Sequence, residues 1–406
     1  METLVRQNDA RTTLRRVLIV ADESAHWKIA GLRQLDRLLL TLQEFAETQP
    51  GSRRINVCIQ WQKNASPAEL RQKTRLRNLV VTDCAEDWLA PENAPELVLS
   101  TRVFLYRNSL PALLETLPAS SSASDVEAIF ASATNDEQTP WVIVSSEKEI
   151  PAVERRFLRA NGKSQDGLVS RYINRRISHF VSRWLLKTPI TPSAWSILIF
   201  TLPLAACFAF VQGSYAGFVI GAAIFQLYSI LDGCDGEIAR ARFQQTERGR
   251  KLDSFLDLLG NLLLALSLGI GLARQSHIGT KGDWFYISEG IATAIFIAIG
   301  EGMLFLRRSR GETVPALSAR WHGTLYQRHQ EIIEHSGILM LGERVAWWLM
   351  QLTKRDMSML GFLLLALAGA PEWILHLQLI TGAASSAMAG NAFLRQPAPT
   401  LAQEAS

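Results

Sequence analysis

Eight residues within a stretch of 26 carry the chemistry of this chain: Asp232-x2-Asp235-Gly236-x2-Ala239-Arg240-x8-Gly249-x3-Asp253-x3-Asp257. Asp232 and Asp235 stand three apart and Asp253 and Asp257 four apart, spacings that place each pair on one face of a helix. A basic, glycine-containing loop is expected between the pairs, and long apolar runs flank both. If the two faces turn toward each other, four negative charges gather at the edge of a membrane. That arrangement is costly unless cations neutralise it. Hard divalent ions, Mg²⁺ or Mn²⁺, are the natural partners of clustered carboxylates. Chance produces eight specified types at fixed spacing roughly once in 10¹⁰ start positions, taking about 5% usage per type. A mere solvated charge cluster is therefore a poor explanation.

The elements that must position these residues are apolar helices. Of the 406 residues 48% are hydrophobic and 20% charged, but the distribution is uneven. No charged residue occurs from Thr188 to Leu231, a run of 44. A helix needs about 20 residues to cross the hydrocarbon core, so this run holds two spans, with a turn near Gly213-Ser214-Tyr215. Further spans are expected at about Ser254–Ala273, Trp284–Leu306, Met357–Pro371 and Trp373–Leu394. The expected fold is an α/β cytoplasmic domain followed by an all-α, six-helix transmembrane domain with an interfacial amphipathic helix. The boundaries are expected at 1–163 for the soluble domain and 164–395 for the membrane domain, with a disordered tail at 396–406.

Basic residues orient the spans. Arg171, Arg175, Arg176, Arg183 and Lys187 precede the first span, and Arg240, Arg242, Arg248, Arg250 and Lys251 lie between the second and third. Arg307, Arg308, Arg310, Arg320, Arg328, Arg344, Lys354 and Arg355 separate the fourth from the fifth, against only Arg274 and Lys281 on the other side. The positive-inside rule then puts the first domain, the motif and the C-terminus in the cytoplasm of an inner-membrane protein. The polar segment from Met1 to Arg15 offers no secretory signal. Because the membrane side accounts for the basic residues, nucleic acid is not expected as a partner. Leu168, Tyr172, Ile173, Ile177, Phe180, Val181 and Trp184 share one side of a helical pattern whose other side is rich in arginine, as in a helix lying in the headgroup plane.

Before residue 165, β-branched runs alternate with helix-period segments, the signature of an α/β domain. The runs are Arg16–Val20, Ile55–Ile59, Leu79–Val81 and Trp141–Val144; the helical segments include Ile29–Phe45, with an amphipathic start at Gly31–Leu39, and Leu110–Leu117. Pro118–Asp136 is polar and reads as a loop. Cys58, Cys84, Cys207 and Cys234 show no CxxC or His/Cys spacing, so neither a zinc site nor a disulfide framework is expected.

The eight-residue pattern matches, without departure, the signature of the CDP-alcohol phosphotransferase family, and the resemblance covers about residues 164–395. It extends to Asp166-Gly167, Asn174-Arg175, Thr191-Pro192 and Lys354-Arg355-Asp356. Where the family usually has Asn, this chain has Ser193.

What the resemblance implies is transfer of a substituted phosphate from a CDP-alcohol, a CDP-diacylglycerol or CDP-polyol, to a lipid or polyol hydroxyl with release of CMP. It implies a membrane enzyme of phospholipid or polyol-phosphate synthesis, working as a homodimer. By position, Asp232, Asp235 and Asp253 are implied metal ligands, and Asp257 the general base, also able to touch a second metal. Gly236 and Gly249 leave room for backbone beside the nucleotide, Ala239 is small for the same reason, and Arg240 suits a phosphate oxygen. In some members a sugar-nucleotidyltransferase-like domain comes first. Such a domain needs a Gly-rich basic loop after its first strand. Ala21-Asp-Glu-Ser-Ala-His-Trp-Lys28 lacks the paired glycines, so the first domain is expected to be non-catalytic. Two readings stay open for Arg307, Arg308, Arg320 and Arg355: an acceptor phosphate, or anionic lipid. Glu289 and Glu301 are acids within a span. His322, His329 and His335 have no convincing metal spacing.

Overall fold

The computed structural model describes residues 14–49, 54–63, 65–67, 69–83, 88, 95–107, 109–116, 141–160, 167–276, 282–309 and 354–394. It forms two compact units: Met1–Asn161 with Arg240–Phe243, and Gly162–Ala239 with Gln244–Ser406. Pro118–Asp136, Asp166, the three histidines from His322 to His335 and the tail fall outside the described residues.

The first unit is α/β. Its strands are β1 (Arg16–Ala21), β2 (Lys28–Ile29), β3 (Leu32–Arg33), β4 (Ile55–Trp61), β5 (Leu79–Asp83), β6 (Leu97–Ser100), β7 (Val103–Leu105) and β8 (Trp141–Ile143). Four of them pair in parallel in the order β5-β4-β1-β6, with Val17 opposite both Val57 and Leu97. Both faces of β1 are buried: Val17 and Ile19 pack with the main core, and Leu18 with Cys58 and Val98 behind it. That explains why the strand reads as a continuous apolar run. Helix α1 (Gln34–Thr48) covers one face with Leu35, Leu38, Leu39 and Leu42. Helices α2 (Leu110–Thr116) and α3 (Ile150–Ala160) complete this unit.

Two expectations need correction here. The helix does not start at Gly31: Ala30 (φ 48°) and Gly31 (φ 80°) form the left-handed turn of the β2–β3 hairpin, and α1 begins at Gln34. A two-residue turn with both φ positive suits the twist of a hairpin. Second, Cys58 is disulfide-bonded. It lies buried on β4 beside β5, with Thr82 as its register partner, and strand pairing joins sequence-distant groups that no local spacing reveals.

Within this unit Arg37 is fully buried, donating to the carbonyls of Ile29 (3.0 Å), Ala30 (3.3 Å) and Ala241 (3.0 Å). Its guanidinium lies 4.7 Å from the Phe104 ring centroid and 5.7 Å from that of Phe243. Phe243, at φ 55°, packs with Leu32 and Leu40.

The second unit is helical. A single π-helical turn, Ser170–Asn174, runs into α4 (Arg175–Leu185), followed by α5 (Pro192–Ile199), α6 (Thr201–Val211), α7 (Tyr215–Ala241), α8 (Glu247–Gln275), α9 (Gly282–Ser309), α10 (Arg355–Leu367) and α11 (Glu372–Leu394). Among the described residues, four segments are long and apolar enough to cross a membrane: Pro192–Val211, Tyr215–Ala241, Glu247–Gln275 and Trp284–Met303. The expected six spans are thus not all present by this measure. Helix α10 has 13 residues, which reach only about 20 Å at 1.5 Å per residue. The expected turn at Gly213 is present, with φ +66° and its N–H on the Phe210 carbonyl at 3.0 Å.

Small residues let the spans approach. A methyl on Gly269 would lie 2.7 Å from the Tyr286 carbonyl and 3.2 Å from the Gly290 Cα, so α8 and α9 touch backbone to backbone there. A methyl on Gly271 would fall on the Phe210 carbonyl, which cannot withdraw without breaking the Gly213 turn. Gly271→Ala is expected to cost about 1–3 kcal/mol, the usual range for overpacking, read as a lower thermal midpoint in detergent. Gly302→Ala, at a position with nothing within 4 Å, serves as the control and should leave the midpoint unchanged or slightly raised.

Candidate active site

Helices α7 and α8 present the four aspartates, and their ends are set by local chemistry. Helix α8 starts where the Thr246 side chain accepts the Gly249 N–H at 3.0 Å, a side-chain cap on an otherwise unpaired donor. Gly249 therefore lies in the first helical turn, not in a loop. A methyl there would meet Thr246 Oγ1 at 3.1 Å and Ser193 Oγ at 3.6 Å. Helix α5 starts in the same manner, with Thr191 accepting the Ala194 N–H at 3.3 Å and Pro192 at its first position. Helix α7 continues through Ala241, so Asp232, Asp235, Gly236, Ala239 and Arg240 share one helix. The expected loop shortens to a few residues.

One carboxylate oxygen from each of Asp232, Asp235 and Asp253 lies within 4.8 Å of the other two, and all three residues are half-buried. At such separations each like-charged pair repels by about 3–4 kcal/mol at an effective dielectric near 20. The set is all oxygen and anionic, which fits a hard divalent cation. Two of the three ligands have support from α5. Ser196 Oγ donates to Asp235 Oδ2 at 2.6 Å, and Trp195 Nε1 to the Leu231 carbonyl at 3.0 Å, fixing α7 next to Asp232.

Asp257 lies about one turn further along α8 than Asp253. Its Oδ1 accepts from the Tyr228 hydroxyl at 3.2 Å and from Arg355 Nη1. Arg355 Nη2 donates to Asp232, and the guanidinium stands 5.5 Å from the Tyr228 ring centroid. One cation at the start of α10 thus bridges the two aspartate pairs. Its neighbour Asp356 accepts the Ser170 N–H at 2.6 Å, and a methyl on Gly167 would fall on that carboxylate. The Arg355 bridge, Ser196 and Tyr228 are contributions the sequence did not disclose. The available signal was helical spacing: Tyr228 precedes Asp232 by one turn, and Ser196 follows Pro192 by one turn on a capped helix.

Among the other expected residues, Ala239 is buried, and Arg240 clusters with the first unit. Glu289 accepts from or shares a proton with His376 Nδ1 at 2.6 Å, and Glu301 accepts from Asn261 Nδ2 at 3.2 Å. Both span acids therefore have polar partners. The side chains of Arg307, Arg308 and Arg320 lie outside the described residues.

The fold and site define a helical membrane domain with an acidic centre, chemically suited to a cation, on two consecutive spans. Residues 190–382 match the family model described as CDP-alcohol phosphatidyltransferase, so the C-terminal half of the chain carries a domain of that kind. The chain is 39% identical over 136 residues to the bifunctional IPC transferase and DIPP synthase of Rubrobacter xylanophilus, covering 34% of this chain and 30% of that protein. It is 36% identical over 118 residues to the protein of the same name from Thermococcus kodakarensis, covering 29% and 26%. The one from Archaeoglobus fulgidus is 33% identical over 118 residues, covering 29% and 23%. The match thus spans less than a third of each relative's own length.

Proposed function

We propose that this chain is a membrane transferase that moves a substituted phosphate from a CDP-alcohol to an acceptor hydroxyl and releases CMP. The observation that carries this reading is the convergence of Asp232, Asp235 and Asp253, with Asp257 a turn away. A bound Mg²⁺ or Mn²⁺ would neutralise the pyrophosphate and stabilise the CMP leaving group. Asp232, Asp235 and Asp253 hold that cation. Asp257 takes the acceptor proton, with Tyr228 and Arg355 orienting its carboxylate. Gly236, Ala239, Arg240 and Gly249 line the nucleotide's approach, and Asp257 can add a ligand to a second metal. Helices α10 and α11 complete the membrane domain as its fifth and sixth apolar helices, the signature faces the cytoplasm of the inner membrane, and the enzyme is a homodimer. The α/β domain ahead of the membrane domain favours an inositol- or polyol-phosphate product, by analogy with family members that carry such a domain.

The reading is tested by measuring CMP release from purified protein given CDP-diacylglycerol or a CDP-polyol, each with candidate acceptors, with and without Mg²⁺. Metal-dependent CMP release is expected with one donor class. No release with any pair, or flux of an unaltered solute across vesicles instead, would replace the enzyme by a scaffold or a transporter.

The N-terminal domain we read as non-catalytic. In a parallel sheet, ligands bind beyond the carboxyl ends of the strands where the strand order reverses, which here is between β1 and β6. That place holds the chain's own carboxylate. Asp22 accepts the Ser24 N–H at 2.9 Å, the Thr101 hydroxyl at 3.1 Å and Arg102 Nε at 2.5 Å. Burial alone would raise the Asp22 pKa, but bonds from Ser24 and Arg102 outweigh it and hold the carboxyl below its ordinary value. An anion cradle filled internally leaves no place for a phosphate. Titration calorimetry of the full chain with CTP, without divalent metal so that the aspartate centre is silent, is expected to show no saturable binding. A Kd below about 100 µM (roughly −5.5 kcal/mol) would reverse this assignment.

A further inference from the structure

Glu237 lies inside the signature stretch but is not one of its specified residues, and its surroundings are unusual. It is 1% exposed. Its Oε1 accepts from Arg175 Nη1 at 2.5 Å and from the Ser178 hydroxyl at 2.8 Å, with His179 Nε2 at 3.5 Å. Arg175 is itself largely buried, and it fits because position 233 is glycine: a methyl there would lie 3.3 Å from its Nη1. Further contacts run along the same line. Gln226 Nε2 donates to Asn174 Oδ1 at 3.3 Å, and the Cys234 thiol lies 3.5 Å from the Ser178 carbonyl.

The π-helical turn and α4 therefore carry one small polar stripe, Asn174, Ser178 and Ser182, inward against α7, and leave Tyr172, Ile173, Ile177, Phe180 and Trp184 exposed. In water this would be inverted. Beside a membrane it places aromatic and aliphatic residues against lipid and the polar stripe against protein. On α7, at 100° per residue, Gln226, Gly233 and Glu237 project roughly 150° away from the face that carries Asp232 and Asp235. One face of α7 is gripped by α4 while the other holds the metal carboxylates.

We propose that Glu237 is a positioning residue: its buried pairing with Arg175 sets the rotation of α7 about its axis, and so holds Asp232 and Asp235 in register with Asp253. The reason lies in geometry. A neutral apolar contact tolerates a small rotation of a helix, whereas a buried charge pair does not, because rotation would part Arg175 Nη1 from Glu237 Oε1 and leave a buried charge unpaired. Arg175 also cancels the Glu237 charge locally, so that this acid adds no anion to a centre already crowded with three. The inference rests on the metal reading of that centre.

The test is Mn²⁺ binding to the purified full-length protein, followed by electron paramagnetic resonance, together with the Mg²⁺ dependence of CMP release. Glu237→Gln and Arg175→Met are each expected to weaken Mn²⁺ binding about tenfold, within the 10–100-fold range typical of groups that orient metal ligands. The Mg²⁺ needed for half-maximal rate should rise in parallel. Arg175→Lys, which keeps the charge but on a more flexible, more strongly hydrated ammonium, should fall between these variants and wild type. It also decides the matter if the harsher variants do not fold. Mn²⁺ affinity within twofold of wild type in Arg175→Lys and in every folded variant would overturn the proposal. Wild-type binding that Asp253→Asn abolishes and Glu237→Gln leaves alone removes this inference only. No Mn²⁺ binding by wild type removes the metal reading and this inference with it.

Discussion

Asp257→Asn should lower kcat by at least about a thousandfold while the CDP-alcohol still binds, the scale expected when a general base is lost. The substitution is nearly isosteric. The Asn carbonyl oxygen can still accept from Tyr228 and from Arg355, as Asp257 Oδ1 does now. Asp232, Asp235 and Asp253 keep the close set of oxygens without it. What disappears is the capacity to take a proton from the acceptor hydroxyl. The measurement is single-turnover CMP release beside equilibrium binding of a CDP-alcohol in Mg²⁺. Wild-type turnover in the variant would remove the base assignment. Loss of both binding and turnover would move Asp257 into the metal set.

Asp253→Asn should behave differently, losing metal-dependent nucleotide binding as well as activity, and Asp232→Asn likewise. Removing one of three clustered anions takes away a direct donor to the cation, so the loss should reach the order of 100-fold, the upper end for groups that merely orient ligands. Asp253 gives the cleaner result. Asp232 also pairs with Arg355, so its removal releases that guanidinium from one carboxylate and leaves it bound to Asp257 alone. Titrating Mn²⁺ in the presence of a CDP-alcohol decides the issue. A midpoint in Asp253→Asn equal to that of wild type would show that the cation is held elsewhere.

The contrast between these variants also marks what sequence can convey. The four aspartates were legible because 3.6-residue periodicity turns spacing into a shared face, and the uncharged run from Thr188 to Leu231 had to be helical in lipid. Strands β1, β4, β5 and β8 were legible from their apolar, β-branched runs, whereas β6 and β7 were passed over. The hairpin at Ala30-Gly31 was mistaken for a helix start because leucine periodicity began before the chain had turned. Six spans were expected where four meet the length and hydropathy of a crossing helix among the described residues.

Local pattern by itself determined which residues are acidic, which share a helix face and which segments are apolar, since these properties depend only on neighbours within about a turn. Tertiary structure alone decided that three of the four carboxylates converge, that Arg355 bridges Asp232 and Asp257 from 98 residues beyond the latter, and that Arg175 reaches Glu237 across 62. It also decided that Arg102 pairs with Asp22 from 80 residues along the chain. The reason is physical. A buried charge needs a partner of opposite sign within a few ångströms, and packing of distant elements, not spacing along the chain, selects which residue meets that need.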